Sequence, residues 1–456
     1  MDKIISLCKR RGFIFPGSEI YGGFANSWDY GPLGVELKNN IKQAWWKRFV
    51  HSRADMVGID AALVMNPKVW EASNHLKNFT DPLVECKKCH NRFRADTLEN
   101  PKKCPNCGGE LTEARQFNMM LKTFIGPAED SANVAYFRPE TAQAMFVDFK
   151  NVLETSRKRV PFGIAQIGKA FRNEITPGNF IFRTREFEQM EIEYFIEKKT
   201  WKKSFEYWLK EMYAWMEDLG LSKKHLHDLE VPKDERAHYS ERTVDIEYDF
   251  PFGKKELYGI AYRTDFDLSN HQKASGEDLK YTDPMTGEKY IPHVIEPTFG
   301  VDRTVLAVLC EAYTEEKVPT SVIPAPHPVI LSEAKDPKDK EPARPDTDDT
   351  RIVLKFPKWL APFKVAILPL SKKPELSKVA YKIYEDLLKD FICEYDETQS
   401  IGKRYRRQDE IGTPYCVTVD FESLEDKAVT VRDRDTMKQE RIKISELKEY
   451  LKEKMK

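Results

Sequence analysis

The sequence predicts an α+β chain of several domains, and three observations support this prediction. Residues 162–196 have the pattern of two strands joined by a basic loop, because strict alternation of polar and apolar side chains follows turn residues at 176–178. Two Cys-x-x-Cys pairs lie close together before that hairpin. After a charged, proline-rich stretch at 331–350, the composition changes to alternating strand and helix patterns, which is typical of a small α/β domain.

Length and composition restrict the class of protein. A chain of 456 residues has the length of about three typical domains. With 41% hydrophobic and 32% charged residues it is predicted to be globular and soluble, and a net charge of −1 means that any RNA contact is local. No apolar run reaches the roughly 18 residues of a membrane span, and the N-terminal segment lacks the pattern of a signal peptide. Eight cysteines in a chain of this length do not form a disulfide framework, so we expect a cytoplasmic protein.

The first 66 residues give three local predictions. Residues 1–33 are rich in glycine and aromatic residues, which favours packed loops. Residues 34–51 have an apolar side chain at every fourth position and are predicted to form a helix. Residues 61–66 are predicted to form a strand that Pro67 stops, at a strand end or edge, because proline cannot donate to a sheet ladder.

Four cysteines give the sharpest local signal. Cys86 and Cys89 form one pair, and Cys104 and Cys107 form a second pair fourteen residues later. Two such knuckles supply the four thiolates of a closed tetrahedral zinc site, which leaves no position open for catalysis. The alternatives are a redox pair or four unrelated thiols. We interpret the cluster as a structural zinc site, with His90 as a knuckle residue.

The hairpin at 162–196 has one unusually polar face. Arg172 and Glu174 share a face because they are two residues apart, and the loop that follows carries Arg183 and Arg185. In the second strand the polar face consists of Phe187, Gln189, Glu191 and Glu193, over an apolar back of Met190, Ile192, Tyr194 and Ile196. Such a face suits a planar, polyanionic ligand with an amine nearby; the alternative is an ordinary solvated face.

Further elements are predicted on both sides of this hairpin. Residues 138–143 are predicted to begin a helix, where the negative charge of Glu140 interacts favourably with the helix dipole. Residues 198–219 are predicted to form an amphipathic helix that packs in the core. Residues 243–267 have strand character, with Asp265 and Asp267 on one face, either as metal ligands or in turn and solvated roles.

The end of the first half is predicted as a strand at 293–297, a tight connection at 298–300 and a helix at 301–313. Arg303 lies in the first helical turn, where backbone amides and the helix dipole favour an anion; the alternative is a surface arginine on a core helix. Residues 331–350 are predicted to be a flexible linker.

The last hundred residues are predicted to begin with a buried strand at 364–370 and a helix at 374–390. Residues 403–407 form a basic, aromatic cluster, which either contacts phosphates and a base or is the solvated start of a helix.

Several runs of the sequence resemble a known family. The helix and strand before Pro67, the hairpin with Phe171–Glu174 and the helix opening at Gly300–Arg303 resemble motifs 1, 2 and 3 of class II aminoacyl-tRNA synthetases. The finer resemblance is to glycyl-tRNA synthetases of the single-chain, homodimeric type. It rests on the runs YGGFANSWDYGPLG (21–34), FRPETAQ (137–143), FRTREFEQMEIEYF (182–195), HYS…TVDIEY (238–248), ELYGIAYRTDFDL (256–268) and VIEP…GVDR (294–303).

The resemblance implies a division into domains. Residues 1–325 are expected to form an antiparallel-sheet catalytic domain of class II type. Within it the resemblance implies a zinc-ribbon-like insertion at 84–112 and a helical insertion at 197–242. A flexible linker at 331–350 and an anticodon-binding α/β domain at 352–456 complete the expected chain.

The resemblance also implies a function. The expected reaction activates glycine with ATP to glycyl-adenylate and then transfers glycine to the 3′ end of tRNA(Gly), with Mg²⁺ at the phosphates, a structural Zn²⁺ and a homodimer without membrane contact. Rival interpretations are a synthetase for threonine, proline or histidine, and a synthetase-like RNA- or DNA-binding subunit that has lost catalysis. Such a subunit need not keep the ATP arginines, and this chain has Arg172, Arg183, Arg185 and Arg303.

Site residues are carried over from the matching motifs. Arg172 is expected to clamp the α-phosphate and Arg303 the far phosphates, both as catalytic residues, and Phe187 is expected to stack on adenine. The full ATP set is Arg172, Asn173, Glu174, Phe182, Arg183, Thr184, Arg185, Glu186, Phe187, Glu256, Leu257, Gly300, Val301, Asp302 and Arg303. The glycine set is Arg94, Glu140, Phe187, Glu188, Gln189, Met190, Glu191, Glu296, Pro297, Thr298, Phe299 and Gly300. Thr298 departs from the serine of the family and narrows the pocket by a methyl group, and Glu193 receives no role.

Overall fold

The computed structural model describes residues 1–317 and 350–455. In these residues the helices of the chain are α1 (Asp2–Arg11), α2 (Pro32–Trp46), α3 (Pro67–Ala72), α4 (His75–Asn78), α5 (Ala142–Val147), α6 (Phe149–Ser156), α7 (Trp201–Asp218), α8 (Phe266–Ser275), α9 (Val301–Ala312), α10 (Pro374–Leu387), α11 (Ile401–Ile411), α12 (Glu422–Asp426) and α13 (Leu447–Met455). A π-helical turn, Lys47–His51, continues α2.

The strands occur along the whole of the described chain. They are β1 (Ile14–Pro16), β2 (Trp28–Tyr30), β3 (Met56–Gly58), β4 (Thr80–Glu85), β5 (Arg92–Arg94), β6 (Arg115–Asn118), β7 (Lys122–Phe124), β8 (Val134–Tyr136), β9 (Phe162–Phe171), β10 (Glu186–Ile196), β11 (Leu226–Glu230) and β12 (Arg242–Phe250). They continue with β13 (Gly253–Thr264), β14 (Tyr281–Thr282), β15 (Lys289–Tyr290), β16 (His293–Gly300), β17 (Tyr313–Lys317), β18 (Thr350–Leu354), β19 (Val365–Pro369), β20 (Cys393–Tyr395), β21 (Tyr415–Val419), β22 (Ala428–Asp433) and β23 (Gln439–Lys443).

The chain divides into two compact units that do not follow chain order. Of the described residues, unit 1 contains 14–30 and 41–308, and unit 2 contains 2–13, 31–40, 309–317 and 350–455. Segments from both ends of the chain therefore belong to the same unit.

Unit 1 is built on a seven-stranded sheet in the order β11-β12-β13-β16-β10-β9-β3. Neighbouring strands are antiparallel except β3 and β9. On one face Trp45 and Trp208 pack against Phe299 and Tyr194, with ring centroids 5.7 and 5.2 Å apart. On the other face the rings of Phe149 and Phe195 lie 4.6 Å apart and close one end, which leaves the polar end of the same face as the site.

Several predicted elements are confirmed. The helices at 34–51 and 198–219 and the hairpin of β9 and β10 with its buried back are present. Of the strand region predicted at 243–267, strands extend as far as Thr264, and α8 begins at Phe266. The helix that opens after Glu140 is α5. In unit 2 the predicted buried strand and following helix are β19 and α10.

Other predicted elements are wrong. The helix α1 occupies residues that were expected to be loops. Residues 61–66 make no strand apart from one bridge at Val64, and Pro67 instead begins α3, where Asn66 caps the helix by accepting from the amide of Lys68. Proline suits the first helical turn because its missing N–H would be unpaired there anyway. Residues 298–300 are the last residues of β16 and not a tight connection.

Two predictions about charged residues are also corrected. Asp265 and Asp267 do not share a strand face, because α8 begins between them. The basic cluster at 403–407 lies in α11, but Arg404 is 1% exposed and donates to the carbonyl oxygens of Pro369 and Leu370. That arginine therefore serves the core of unit 2. Of the predicted linker at 331–350, only Thr350 is among the described residues.

Unit 2 contains a five-stranded sheet in the order β20-β19-β21-β22-β23. The first three strands are parallel and the last two pairs are antiparallel. Its core includes Val365, Ile367, Val417 and Val429, packed against α10 and α13. Across residues 1–317 and 350–455, each helix is too short or too polar to cross a membrane.

Candidate active site

Strand register brings the polar side chains of the hairpin onto one surface. Gln189, Glu191 and Glu193 alternate along β10 and therefore share a face. In the neighbouring strand β16, Thr298 lies opposite Glu191. Glu296 follows on the same face of β16, two residues away. The alternation seen in the sequence thus becomes a continuous polar floor across two central strands.

Two adjoining cavities lie on this floor. The first cavity, of about 140 Å³, is lined by Arg172, Glu174, Ile181, Phe182, Arg183, Thr184, Phe187, Glu188, Gln189, Glu256, Leu257, Tyr258, Thr298, Gly300, Asp302 and Arg303. The second cavity, of about 280 Å³, is lined by Glu140, Arg172, Gln189, Glu191, Val231, Glu235, Arg236, Ala237, Tyr239, Thr243, Asp245, Glu256, Gly259, Ile260, Ala261, Glu296 and Thr298. The two cavities share Arg172, Gln189, Glu256 and Thr298, which form a common wall.

The first cavity combines arginines with aromatic rings. The Arg172 guanidinium lies 5.2 Å from the ring centroid of Phe187, and its Nε donates to the carbonyl oxygen of Pro139 at 3.0 Å. Arg303 lies 4.5 Å from the ring centroid of Phe182 and pairs with Glu256 at 2.9 Å. Planar guanidinium groups can bind phosphate oxygens in a bidentate way, and a ring can stack on a base. The cavity thus suits a nucleoside polyphosphate.

Most of the predicted ATP residues line the first cavity, and four do not. The Asn173 amide donates to the carbonyl oxygen of Met119 at 2.8 Å. Arg185 donates to the carbonyl oxygens of Ala25 and Glu174. The other two are Glu186, which pairs with Lys169, and Val301, which is buried. These four residues hold the loop and the helix that carry the lining side chains.

The second cavity gathers buried carboxylates. Glu140, Glu191 and Glu296, which were predicted on separate segments, all line it and are at most 7% exposed. Thr141 and Thr298 donate their hydroxyl protons to Glu191, at 2.5 and 3.0 Å. Since these hydrogen bonds fix Glu191 from both sides, its carboxylate is held in place before a ligand arrives.

The carboxylates of the second cavity influence one another's protonation. Burial raises the pKa of Glu191, and the nearby charge of Glu140 raises it further. Burial alone would raise the pKa of Glu140 as well, but His75 and Arg263 outweigh that effect and lower it. Buried negative charge around a small space favours a small cation such as an ammonium group.

The remaining predicted glycine residues are divided. Phe187, Glu188 and Gly300 line the first cavity, and Gln189 and Thr298 line both. Met190 and Phe299 are fully buried on the opposite side of the sheet, and neither they nor Pro297 line either of these two cavities. Arg94 lies outside both cavities in β5, where it pairs with Asp81 at 3.1 Å and with Asp96. The structure does not bring Arg94 together with the three glutamates.

Three residues at the second cavity were not found from the sequence, namely Arg263, Tyr239 and Asp245. Arg263 is 0% exposed, donates to Glu296 at 2.5 Å and to Asp267 at 2.8 Å, and lies 3.6 Å from the ring centroid of Tyr239. A lone arginine in the apolar strand segment 257–263 was the available signal. Asp245 lines the second cavity, where burial, and then Glu256, raise its pKa to about 7.

The four predicted zinc ligands come together at the tip of the β4-β5-β6 sheet. One sulfur from each cysteine lies within 4.8 Å of the other three. The sulfurs of Cys86 and Cys107 are 3.5 Å apart, and those of Cys89 and Cys104 are 3.6 Å apart. A tetrahedron with Zn–S bonds of about 2.3 Å has edges of about 3.8 Å, so the arrangement fits zinc. The amide of Cys89 lowers the pKa of Cys86 to about 6, which favours the thiolate.

Comparison with known proteins agrees with this geometry. Residues 127–313 match the family model described as "tRNA synthetase class II core domain (G, H, P, S and T)", and residues 364–454 match the "Anticodon binding domain". A solved prolyl-tRNA synthetase from Cryptosporidium parvum, in complex with halofuginone and AMPPNP, has a similar fold, with a TM-score of 0.64 and 16% identity over 100% of this chain and 77% of the other. The fold and site thus define a class II aminoacyl-tRNA synthetase.

Full-length relatives give the finer assignment. The glycine–tRNA ligase of Acetivibrio thermocellus is 55% identical over 99% of this chain and 97% of its own length. Those of Alkaliphilus oremlandii and Bacillus cereus are 53% and 51% identical over 100% of this chain and 98% and 99% of theirs. The chain belongs to the glycine–tRNA ligase family.

Proposed function

We propose that this protein is an ATP-dependent ligase that joins glycine to tRNA(Gly). The single observation that carries the proposal is the common wall between the two cavities. A nucleotide in the first cavity and an amino acid in the second would meet at Arg172, Gln189, Glu256 and Thr298. Holding two reactants in this way supplies much of the rate enhancement that such a reaction needs.

The first step needs positioning and charge stabilisation more than a protein nucleophile. A carboxylate oxygen of glycine attacks the α-phosphorus of ATP, a new P–O bond forms, and the bond to pyrophosphate breaks. Arg172 lines both cavities, which supports a role for its guanidinium at the α-phosphate, where charge develops. Arg303, at the start of α9, is suited to the departing phosphates.

Amino-acid selection follows from the second cavity. Glu140, Glu191 and Glu296 supply negative charge for the ammonium group of glycine. Thr298 adds a methyl group beside Glu191, so a larger side chain on the substrate would collide there. The second step takes place at the same wall: the terminal ribose hydroxyl of the tRNA attacks the glycyl carbonyl carbon, and AMP leaves.

Magnesium would be held by Glu256 and Asp245. An ideal Cβ at Gly259 would lie 3.5 Å from a carboxylate oxygen of Asp245 and 3.8 Å from one of Glu256, so the missing side chain leaves room between two hard oxygen donors. When bound, Mg²⁺ neutralises phosphate charge. Zinc would be held by the four cysteines as a structural ion. We also propose that residues 352–456 bind the anticodon and that the protein is a cytoplasmic homodimer.

The direct test is glycine-dependent exchange of pyrophosphate into ATP. We expect exchange with glycine and none with proline, threonine or histidine at equal concentration. Arg172→Ala should lower this exchange by about 10²–10³-fold, because one positioned donor for the transition-state charge is lost, while tRNA binding measured separately stays near that of the parent. Exchange with proline but not glycine would contradict the proposal, and normal exchange in Arg172→Ala would contradict the role of Arg172.

A further inference from the structure

Glu193 is a buried carboxyl group to which the reaction described above assigns no part. It lies in β10 two residues after Glu191 and is 0% exposed. Neither of its carboxylate oxygens has a hydrogen-bond partner among the described residues. An ionised carboxylate without hydrogen bonds in such a place would be very costly, so a buried group of this kind usually becomes neutral.

The surroundings of Glu193 add further negative charge. One carboxylate oxygen from each of Glu191, Glu193 and Glu296 lies within 4.8 Å of the other two. The charged groups that act on Glu193 from neighbouring elements are Glu296 on β16, Arg263 on β13 and Asp267 on α8. Arg263 is already engaged, since it donates to Asp267 and to Glu296. Among the described residues, neither this guanidinium nor any other group donates a hydrogen bond to Glu193.

We propose that Glu193 is a neutral carboxylic acid in the folded protein, and that its proton positions Glu296 for the ammonium group of glycine. This inference rests on the proposed function. Glu296 lines the second cavity whereas Glu193 does not, so Glu193 acts through Glu296 and is a positioning residue. The proton removes repulsion between the two carboxyl groups and supplies a donor in a cluster of acceptors.

The expected titration agrees with this geometry. Burial raises the pKa of Glu193 well above its usual range, Glu296 and Glu191 raise it further, and Arg263 opposes the rise. The pKa of Glu296 is raised as well, with burial again the main cause, but Arg263 donates directly to Glu296 and opposes the rise. Of the two carboxyl groups, Glu193 is therefore the one that holds the proton. The raised pKa favours the protonated form of Glu193, and that proton is lost as the pH rises through the pKa of the folded protein. As the pH rises towards the pKa of the folded protein, stability falls because the unfolded chain releases this proton more readily. Once Glu193 is ionised, it repels Glu296 and disturbs its position.

Two substitutions test whether the role of Glu193 is to donate a proton, to carry a charge or only to fill space. Glu193→Gln keeps the shape, the neutrality and a donor, so its KM for glycine in pyrophosphate exchange should stay within about twofold of the parent. Glu193→Leu keeps the bulk but has no donor, so its KM for glycine should rise about tenfold. In both variants the KM for ATP should be unchanged. Melting curves of both variants show whether the fold is intact.

The pH dependence gives a second measurement. The ratio of the KM for glycine in the parent to that in Glu193→Gln should be constant near neutral pH and should rise at alkaline pH, where only the parent has a proton to lose. Taking the ratio removes the titration of glycine itself, which affects both proteins equally.

Infrared difference spectra provide a readout that does not depend on activity. The parent should show the carbonyl band of a protonated carboxylic acid that Glu193→Gln lacks. A parent without that band would overturn the proposal, as would a glycine KM in Glu193→Gln as high as that in Glu193→Leu, or a Glu193→Leu enzyme equal to the parent. If the parent failed to exchange pyrophosphate with glycine at all, the proposed function would fail while the band still decided the state of Glu193.

Discussion

Thr298 is a single side chain that lines both cavities of the site. Its hydroxyl donates to Glu191 at 3.0 Å, and the residue lies in the wall common to both cavities. The sequence indicated that threonine keeps a hydroxyl and narrows the pocket. In the structure the hydroxyl has a definite task, which is to fix one oxygen of Glu191 while Thr141 fixes the other.

Substitution of Thr298 should separate the hydroxyl from the methyl group. We expect Thr298→Val to raise the KM for glycine about tenfold or more, because a buried carboxylate oxygen loses its donor at a cost of about 1–3 kcal/mol. The matched control, Thr298→Ser, keeps the donor and should leave that KM near the parent value, while exchange with alanine increases because a methyl group has been removed. Pyrophosphate exchange measures both. Equal glycine affinity in the two variants would contradict this role.

At the scale of residues, the sequence predicted the separate members of the site better than their surroundings. Four residues could be singled out from the sequence because a charge or an aromatic ring interrupts a regular pattern. They are Arg172, Phe187, Glu191 and Arg303. Arg263 was missed because it lies in an apolar strand, and only the fold shows which carboxylates come to face it. Strand alternation placed Glu193 on the correct face. That it lacks hydrogen-bond partners in the described part of the chain depends on how distant segments pack around it.

At the scale of elements, the β4-β5-β6 sheet links the cysteine cluster to the hairpin. Its local core is small, with Val84, Cys86, Cys104 and Leu111 buried. So small a core rarely folds without a metal or disulfides. At its base, the amide of Asn173 donates to the carbonyl oxygen of Met119, directly after β6. The neighbouring Arg172 therefore depends in part on the order of this sheet.

Loss of one cysteine should reveal this dependence. We expect Cys104→Ser to purify with almost no zinc, because three thiolates no longer close the tetrahedron. Limited proteolysis should then cut between residues 86 and 110, and glycine-dependent exchange should fall while the rest of the chain stays folded. Cys310→Ser, which lies outside the cluster, is the control and should retain about one zinc per chain. Metal analysis that finds no zinc in the parent protein would remove the zinc assignment.

The sequence predicts the boundaries of helices and strands where local chemistry determines them. It misses the boundaries that tertiary structure determines. The alternation of β10 and the apolar stripe of α7 follow directly from the sequence. Pro67 is compatible with both a strand edge and a first helical turn. Which of the two forms depends on the tertiary structure around the following residues. Residues 298–300 have the composition of a turn, yet they pair with β10 and β13, since β16 runs directly into α9.

At the scale of the whole molecule, unit 2 is assembled from both ends of the chain. Phe13 is buried, and its ring lies 6.4 Å from that of Phe356. Arg11 pairs with Glu410 at 2.6 Å. Both α1 and the start of α2 belong to this unit. The sequence places the domain boundary at the proline-rich stretch. A cut at that boundary would therefore remove the packing partners of these N-terminal segments.

Cutting the chain should test this interleaving. We expect a fragment of residues 1–317 to melt well below the intact protein and to aggregate, because Leu7, Cys8 and Phe13 lose the surface that covers them. Full-length protein cleaved at a protease site introduced within residues 331–349 should still migrate as one species in size-exclusion chromatography. A 1–317 fragment as stable as the intact chain would contradict the expectation.

The wall shared by the two cavities also bears on inhibition. On the proposed function, a molecule that joins a glycyl group to adenosine through a linkage resistant to hydrolysis would fill both cavities and would lose its translational freedom only once. Arg172, Gln189, Glu256 and Thr298 would all contact the region of the linkage. A substitution in this wall that prevents binding of such a compound would also weaken the binding of the natural substrates. Resistance should therefore arise at the outer rims of the cavities and seldom at their junction.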